Sequence, residues 1–237
     1  MKITSLQNDF VKHLVKLQQK KHRDASNQIL LEGEHLHQEI LNAGISHQTI
    51  GTDPSNDIEI TSQIAKKIST TQSGSKLFTL IDKPKHHHDF NGNRYLIVDG
   101  VQDPGNLGTM IRTAYSFGFD AVLLSQDSVD EFNDKCIRST QGAVFHIPCI
   151  RGDLIEFINK LRNSNVKVYA THLSDDTIGL EMIDRNEKLA VVMGHEGQGV
   201  SETVIKYSDQ SVKIETSRFE SLNVAVATAI VCYQFRK

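Results

Sequence analysis

The sequence predicts an α/β fold built around a parallel sheet, and two observations support this prediction. From Arg94 onward, short apolar runs typical of buried strands alternate with runs of helical periodicity, as in a parallel sheet covered on both faces. The chain has 237 residues, of which 38% are hydrophobic and 23% are charged. That size and composition are typical of a soluble globular protein with one large domain or two small ones.

The predicted elements of the first part differ from those that follow. Residues 5–22 carry apolar side chains at spacings of 4, 4 and 3, which form one helical face: Leu6, Phe10, Leu14 and Leu17. Residues 28–33 read as a short buried strand, and 34–43 as a helix closed by Gly44. The segment 83–93 looks irregular. We therefore expect an N-terminal domain over 1–85, a linker over 86–93 and a second domain over 94–237.

The second domain is predicted to contain six strands and four helices. The strands are 95–98, 121–124, 143–150, 167–170, 189–193 and 212–214. The helices are 107–117, ended by Gly118, then 154–161, 200–207 and a last helix from Leu222. That last helix is apolar almost all round to residue 233, so it must be buried on every side. Its start offers free backbone N–H groups and three polar side chains, Glu220, Ser221 and Asn223. This combination predicts a buried place that can hold a ligand.

The charge distribution predicts which part of the chain would contact a nucleic acid. The net charge is −3, so the chain as a whole is not a basic nucleic-acid binder. Residues 1–85 carry a net +2 and residues 86–237 a net −5. Residues 1–25 hold six basic and two acidic side chains. This surplus indicates an RNA-facing helix; a merely solvated helix face is the alternative.

Several classes of protein are disfavoured by features that the sequence lacks. No apolar run approaches the ~18 residues that span a bilayer, and the N-terminus has no apolar signal core, so we expect a cytoplasmic protein. The three cysteines have no paired spacing and are expected to be buried structural thiols: Cys136, Cys149 and Cys232. The consecutive His86, His87 and His88 could suggest a metal site. Consecutive side chains do not converge on one ion, so a solvated linker is favoured and no metal is predicted.

Three segments that follow predicted strands combine glycines with polar side chains: 99–114, 191–201 and 220–227. Parallel α/β sheets bind ligands at the carboxyl ends of their strands. In the first segment a Pro-Gly-Asn turn includes Asn106, which can cap the next helix, and Arg112 lies among apolar residues. The glycine spacing is not GxGxxG and no P-loop lysine is present, which disfavours a nicotinamide oxidoreductase or a nucleotide triphosphatase.

Taken in this order, the three segments resemble the signature motifs of the SpoU (TrmH-type) family of RNA ribose 2′-O-methyltransferases, in the SPOUT class. The resemblance implies a parallel sheet with a C-terminal trefoil knot, preceded by a small α/β substrate-binding domain. It also implies S-adenosylmethionine as cofactor, RNA as partner, with rRNA favoured over tRNA, and a homodimer formed through the methyltransferase domain. A monomer that buries its apolar helix internally is the alternative.

The resemblance also assigns roles to individual residues. It implies a catalytic set of Asn106, Arg112, Glu196, Ser221 and Asn223. Because a guanidinium keeps its proton, Arg112 is expected to stabilise the alkoxide that develops on the ribose, and Glu196 to hold that arginine and the substrate. The cofactor is expected to contact Thr171, Gly194, Ile214 and Leu222.

RNA contacts are expected on both sides of the linker. Segment 135–148 resembles a segment of the family. Its Arg138 and Ser139 are candidates for contacts to RNA, and a purely structural role for this pair is equally open. His146, in the predicted strand, is expected to be a packed histidine. The N-terminal helix would add Lys16, Lys20, Lys21 and Arg23.

Two departures from the family pattern stand out. His195 occupies a position where the family usually has asparagine or a small residue. Residues 212–219 replace the Ile-Pro-Met and glycine that usually precede the third motif. The second departure alters the loop expected to cradle the adenine of the cofactor. It keeps open a different class of function, an RNA-binding protein with a catalytically degenerate knot domain.

Overall fold

The N-terminal part of the molecule folds around a mixed five-stranded sheet. A computed structural model describes residues 1–174, 176–186, 188–218 and 222–237. The strand order is β1-β4-β3-β5-β2, in which β5 runs antiparallel to its two neighbours and the other pairs are parallel. The elements are β1 Lys2–Ile3, α1 Asp9–Lys16, α2 Lys20–Ser26, β2 Gln28–Glu32, α3 Glu34–Asn42, β3 His47–Gly51, β4 Ile58–Ile60, α4 Ser62–Ile68 and β5 Leu77–Asp82.

The predicted helix over 5–22 is two helices in the structure. Helix α1 ends at Lys16, and α2 begins at Lys20. Arg23 explains the break, because its Nη1 donates to the carbonyl oxygens of Leu17 (2.9 Å) and Gln18 (3.0 Å) at the junction. One buried side chain thus stabilises carbonyls that a continuous helix would have bonded itself. The predicted helix 34–43 is confirmed as α3, and Gly44 follows it with a φ of +65°.

The second part confirms the predicted parallel sheet. Among the described residues its seven strands run in the order β10-β12-β9-β11-β6-β7-β8, and every pairing is parallel. The elements are β6 Arg94–Val98, α5 Pro104–Ser116, β7 Ala121–Ser125, α6 Asp134–Thr140, β8 Cys149–Gly152, α7 Leu154–Asn163, β9 Lys167–Thr171, β10 Ile178–Gly179, β11 Leu189–Met193, α8 Glu202–Tyr207, β12 Gln210–Lys213 and α9 Val224–Gln234. The knot stays a prediction.

The predicted strand over 143–150 is wrong. A short 3-10 helix occupies Ala143–Phe145, and β8 begins only at Cys149. Gly142, with a φ of +90°, turns the chain after α6, and the apolar side chains that follow are buried against the helices rather than in the sheet. The apolar run in the sequence predicted a strand here, because a short apolar run is the same for a buried strand and for a buried turn.

Of the three hydrophobic clusters in the described part of the chain, one is shared by the two sheets. Apolar side chains from β2 and α3, such as Leu31 and Ile40, pack in the same cluster as those from β6, α5 and β7. Polar contacts also cross between the two parts. Arg23 and Asp130 form a buried ion pair at 2.6 Å, and Glu39 Oε2 lies 2.8 Å from His146 Nε2. His146 is therefore partly packed, as predicted, but it lies beyond the 3-10 turn and stacks on Tyr115.

The segment 83–93 has no helix or strand, but it is not simply solvated. His86 and His88 are half-buried, and burial lowers the pKa of both imidazoles. Within the described ranges, no cluster of three or more His, Cys, Asp or Glu side chains is placed to hold a metal ion. In the same ranges, no helix combines the length and apolar character needed to cross a membrane. All three cysteines are buried, as predicted, and burial raises their pKa.

Candidate functional site

The three predicted motifs meet at the carboxyl ends of neighbouring strands. Strand β11 pairs with β6 along its whole length, so the segments after Met193 and Val98 emerge side by side. The start of α9 lies against both. This is the edge of a parallel sheet where α/β proteins bind ligands.

Asn106 joins the three motifs. Its side-chain Nδ2 donates to Glu196 Oε1 at 3.0 Å, and its Oδ1 accepts from Asn223 Nδ2 at 3.1 Å. It does not cap helix α5, because Asp103 takes that position and accepts from the Asn106 backbone N–H at 2.9 Å. The cap that sequence reasoning considered for Asn106 is therefore made by Asp103, and the Asn106 side chain is left to bridge the site.

Glu196 holds the first motif in place. Besides the Asn106 amide, it accepts from the backbone N–H groups of Gln102 (3.2 Å) and Asp103 (3.0 Å). Burial alone would raise the pKa of the Glu196 carboxyl, but these hydrogen bonds outweigh burial and lower it. The side chain is thus an anion that organises donors. No hydrogen bond or ion pair between Glu196 and Arg112 occurs in the described part of the chain.

His195 shapes the loop of the second motif. Its Nδ1 accepts from the backbone N–H groups of Gly197 (2.9 Å) and Gln198 (3.3 Å), and its own backbone forms two hydrogen bonds with Gly199. An asparagine Oδ1 in a turn accepts from the same two positions, so the imidazole performs the role of the usual family residue. Gly194 is required because a Cβ there would lie 2.0 Å from the backbone of Gly199.

Asn223 caps the last helix. Its Oδ1 accepts from the backbone N–H groups of Ala225 (2.9 Å) and Val226 (3.3 Å), and its Nδ2 reaches Asn106. Of the polar helix start that the sequence predicted, Asn223 is found at the N-cap, and Glu220 lies outside the described residues. The helix is not buried on every side, however, because Val226 and Tyr233 are 52% and 57% exposed. Ser221 lies outside the described residues.

A cavity of about 410 Å³ opens beside these motifs. The four residues predicted to contact the cofactor all line it: Thr171, Gly194, Ile214 and Leu222. Its volume is within the range of small-molecule sites. Sequence reasoning missed other lining residues, several of which directly follow the ends of strands: His172, Leu173, His195, Lys213 and Thr216. Their position after β9, β11 and β12 was the signal that could have found them.

The lining of the cavity combines apolar side chains with a glycine-containing loop, which fits the S-adenosylmethionine predicted from the sequence. Apolar walls from Leu173, Met193 and Val212 suit an adenine ring, and the glycine-containing loop 194–199 brings backbone groups close to the opening. Thr171 Oγ1 is turned away from a polar ligand, because it donates to the Val192 carbonyl oxygen at 2.7 Å. The altered segment 212–216 still supplies lining side chains.

Arg112 is exposed on α5, six residues after Asn106 in the same helix. Within the residues that the structure describes, no hydrogen bond or ion pair engages its guanidinium. Its side chain is therefore free to meet a substrate, although no contact in the chain fixes its position.

The predicted RNA contacts divide into three groups. Arg23 is wrong as an RNA contact, because it is 3% exposed and paired with Asp130 inside the protein. Arg138 donates to Asp134 (2.7 Å) and Thr70 (3.0 Å), and Ser139 bonds within its own helix. The three exposed lysines of the first helices remain candidates: Lys16, Lys20, which pairs with Asp24, and Lys21.

Comparisons with known proteins match both parts of the chain. The model of the SpoU rRNA Methylase family matches residues 93–233, and the model of the MRM3-like substrate binding domain matches residues 8–79. The chain is 37% identical to 23S rRNA (guanosine(2553)-2′-O)-methyltransferase RlmP of Bacillus subtilis (strain 168), over 99% of this chain and 98% of that protein.

Solved structures are similar over the whole chain. An AdoMet-bound rRNA methyltransferase from Sinorhizobium meliloti superimposes with a TM-score of 0.89 at 28% identity, covering 99% of this chain and 97% of that one. An RNA 2′-O ribose methyltransferase gives a TM-score of 0.81 at 26% identity, covering 99% and 98% of the two chains.

Proposed function

This chain belongs to the SpoU rRNA methylase family, and we propose that it transfers a methyl group from S-adenosylmethionine to a ribose 2′-hydroxyl of rRNA. The observation that carries the proposal is the bridge from Glu196 through Asn106 to Asn223, beside a cavity lined by all four predicted cofactor residues. A knot domain that had lost catalysis would not be expected to retain both the hydrogen-bonded bridge and the cavity.

The residues of this chain supply position and charge to the reaction. S-adenosylmethionine supplies an activated methyl group when bound. Gly194, Ile214 and Leu222 hold it, Thr171 forms part of the wall, and Asn106 and Asn223, with Ser221, orient the ribose. As the methyl group passes to the 2′-oxygen, the hydroxyl proton leaves to water and S-adenosylhomocysteine is the other product. Arg112 stabilises the negative charge that develops on that oxygen, because its guanidinium keeps its proton. Positioning of the two reactants supplies much of the remaining rate acceleration.

The substrate is 23S rRNA, which the name of the Bacillus relative gives as that protein's target. The guanosine in that name is the position to examine first when 2′-O-methylated nucleotides are mapped in RNA. A methylated position in tRNA would be the other outcome of that mapping. Lys16, Lys20 and Lys21, with Arg138 and Ser139, are the proposed RNA contacts. An rRNA substrate supports a cytoplasmic location for the enzyme.

Methyl transfer to 23S rRNA transcripts tests the proposal. Wild-type protein is expected to incorporate labelled methyl groups. The R112A variant should lose transfer while its affinity for S-adenosylmethionine, measured by calorimetry, stays near that of wild type. R112K is expected to restore only part of the activity, because a point charge does not reproduce the planar fork of arginine. Wild-type protein that binds RNA but not S-adenosylmethionine would instead support the degenerate RNA-binding protein.

We propose that the protein acts as a homodimer formed through α9. Three exposed apolar side chains at spacings of 4 and 3 form one stripe along this helix: Val226, Ile230 and Tyr233. The exposed Leu222, just before the helix, continues the stripe. A second copy would remove this stripe from water. The variant V226D/I230D is expected to be monomeric by light scattering, whereas L41D, at an equally exposed leucine on α3, should keep the wild-type mass. Equal masses for wild type and both variants would refute a dimer formed through α9.

A further inference from the structure

The N-terminal part has an open groove that the proposed reaction does not use. This Lys66–Lys76 groove has a volume of about 590 Å³ and is lined by residues 52, 62, 65, 66, 69 and 71–76. It lies between the end of β3, helix α4 and the turn that leads into β5. Six of the eleven lining residues carry hydroxyl groups, one carries an amide and two are lysines. None carries a carboxylate, so the groove offers donors to an anion.

The two lysines of the groove are uncompensated. Lys66 and Lys76 are exposed, and neither has an ion-pair partner among the residues that the structure describes. Four other lysines of the same part pair with carboxylates: Lys2, Lys12, Lys20 and Lys83. Within the described ranges Lys16, Lys21, Lys67 and Lys85 form no ion pair either, so the two groove lysines are set apart by the hydroxyl groups around them. Unpaired ammonium groups among hydroxyls are the groups that contact phosphate and sugar in protein complexes with nucleic acids.

A neighbouring carboxylate fixes the wall of the groove instead of competing for its lysines. Glu32 accepts hydrogen bonds from Ser69, Thr70 and Thr71, which hold the turn in one conformation. Burial alone would raise the pKa of Glu32, but these bonds outweigh it and lower the pKa. The carboxylate is thus committed to the turn, and the turn is preorganised.

The turn is also joined to the catalytic part. Arg138 on α6 donates to Thr70 Oγ1 at 3.0 Å. One helical turn earlier, Lys135 pairs with Asp103 at 2.8 Å, and Asp103 caps α5, the helix that carries Arg112. Two basic side chains of α6, each already paired with a carboxylate, thus lie between the groove and the helix of the proposed catalytic arginine.

We propose that the Lys66–Lys76 groove binds the phosphate backbone of the RNA substrate, away from the nucleotide that is methylated. This rests on the proposed function for the identity of the RNA. The groove anchors the strand by two phosphate contacts, and the path over α6 directs it toward α5.

The test uses full-length protein and 23S rRNA transcripts, with binding measured over a series of salt concentrations. K66Q/K76Q should weaken binding and reduce the log–log salt slope by about 0.7–0.9 for each lost phosphate contact. The matched control is K67Q/K85Q, which removes two exposed lysines that also lack ion-pair partners among the described residues but do not line the groove. The control should bind more tightly than K66Q/K76Q and keep the wild-type slope.

Two further measurements separate this proposal from the proposed function. In methyl transfer, K66Q/K76Q should raise KM for RNA and leave kcat and the affinity for S-adenosylmethionine unchanged. Wild-type affinity and slope in K66Q/K76Q, or an equal loss in K67Q/K85Q, would overturn the groove. If wild-type protein transfers no methyl group but the binding series still distinguishes the two variants, the proposed function fails and the groove stands.

Discussion

The buried pair of Arg23 and Asp130 gives the sharpest prediction, because it reverses the role that the sequence suggested for Arg23. The Arg23 and Asp130 side chains are 4% and 8% exposed, with 2.6 Å between Nη2 and Oδ2. In the R23M variant the Asp130 carboxylate loses its cationic partner, and the carbonyls of Leu17 and Gln18 lose their donor. Removing one partner of a buried pair costs about 3–5 kcal/mol.

The magnitude is large enough to measure simply. For a protein of this size, it corresponds to a fall in Tm of about 6–20 °C. Urea unfolding should show a matching loss in the free energy of unfolding. The double variant R23M/D130N should recover about 1–3 kcal/mol relative to R23M, because asparagine leaves no unpaired charge. Recovery in the double variant distinguishes loss of the pair from simple loss of packing.

Lys20 provides the control, since it lies on the same helix and forms an exposed ion pair with Asp24. K20M should cost less than about 1 kcal/mol. The reasoning fails if R23M unfolds within about 0.5 kcal/mol of K20M. It also fails if R23M keeps its stability and loses RNA affinity, because that result would restore Arg23 as an RNA contact.

Two other predictions concern the loops. H195N should keep the wild-type affinity for S-adenosylmethionine. H195A should lose two turn hydrogen bonds and weaken binding by about 1–3 kcal/mol, or roughly five- to 150-fold in Kd by calorimetry; equal affinities of the two variants would exclude this role. The lowered pKa of Glu32 means that the carboxylate stabilises the fold above its ordinary pKa of 4.5, and that this contribution is lost as the pH falls through the lower folded value. E32Q should therefore be less stable than wild type at pH 7 in urea unfolding, and the difference should shrink below pH 4.5; a difference that does not change with pH would contradict the assignment.

Local pattern predicted most of the second sheet. Strand β11 was predicted at Leu189–Met193 and is found there, because five consecutive apolar residues bounded by glycine suit a strand buried on both faces. The same reasoning placed the motifs at the ends of β6 and β11, since parallel sheets bind ligands at the carboxyl ends of their strands. The division of the chain at residues 85 and 93 stays a prediction.

Interactions between distant parts of the chain were not predictable. Arg23 looked like one more surface cation, because its partner lies 107 residues away and nothing nearby in sequence marks it. The shared core is a second case. Leu31 and Ile40 belong to the same cluster as apolar side chains of α5 and α9. A chain that begins near Phe90 would therefore expose apolar surface that the sequence pattern assigned to a separate domain.

The Asn106 bridge has a consequence for how the enzyme becomes active. Its two hydrogen bonds join segments that are 90 and 117 residues apart. Contacts of such separation form slowly, because long loops must close before the contacts contribute any stability. A refolding chain should recover helical circular dichroism before it recovers methyl transfer. The delay between the two signals then measures how long the molecule exists as a nearly complete fold without a working site.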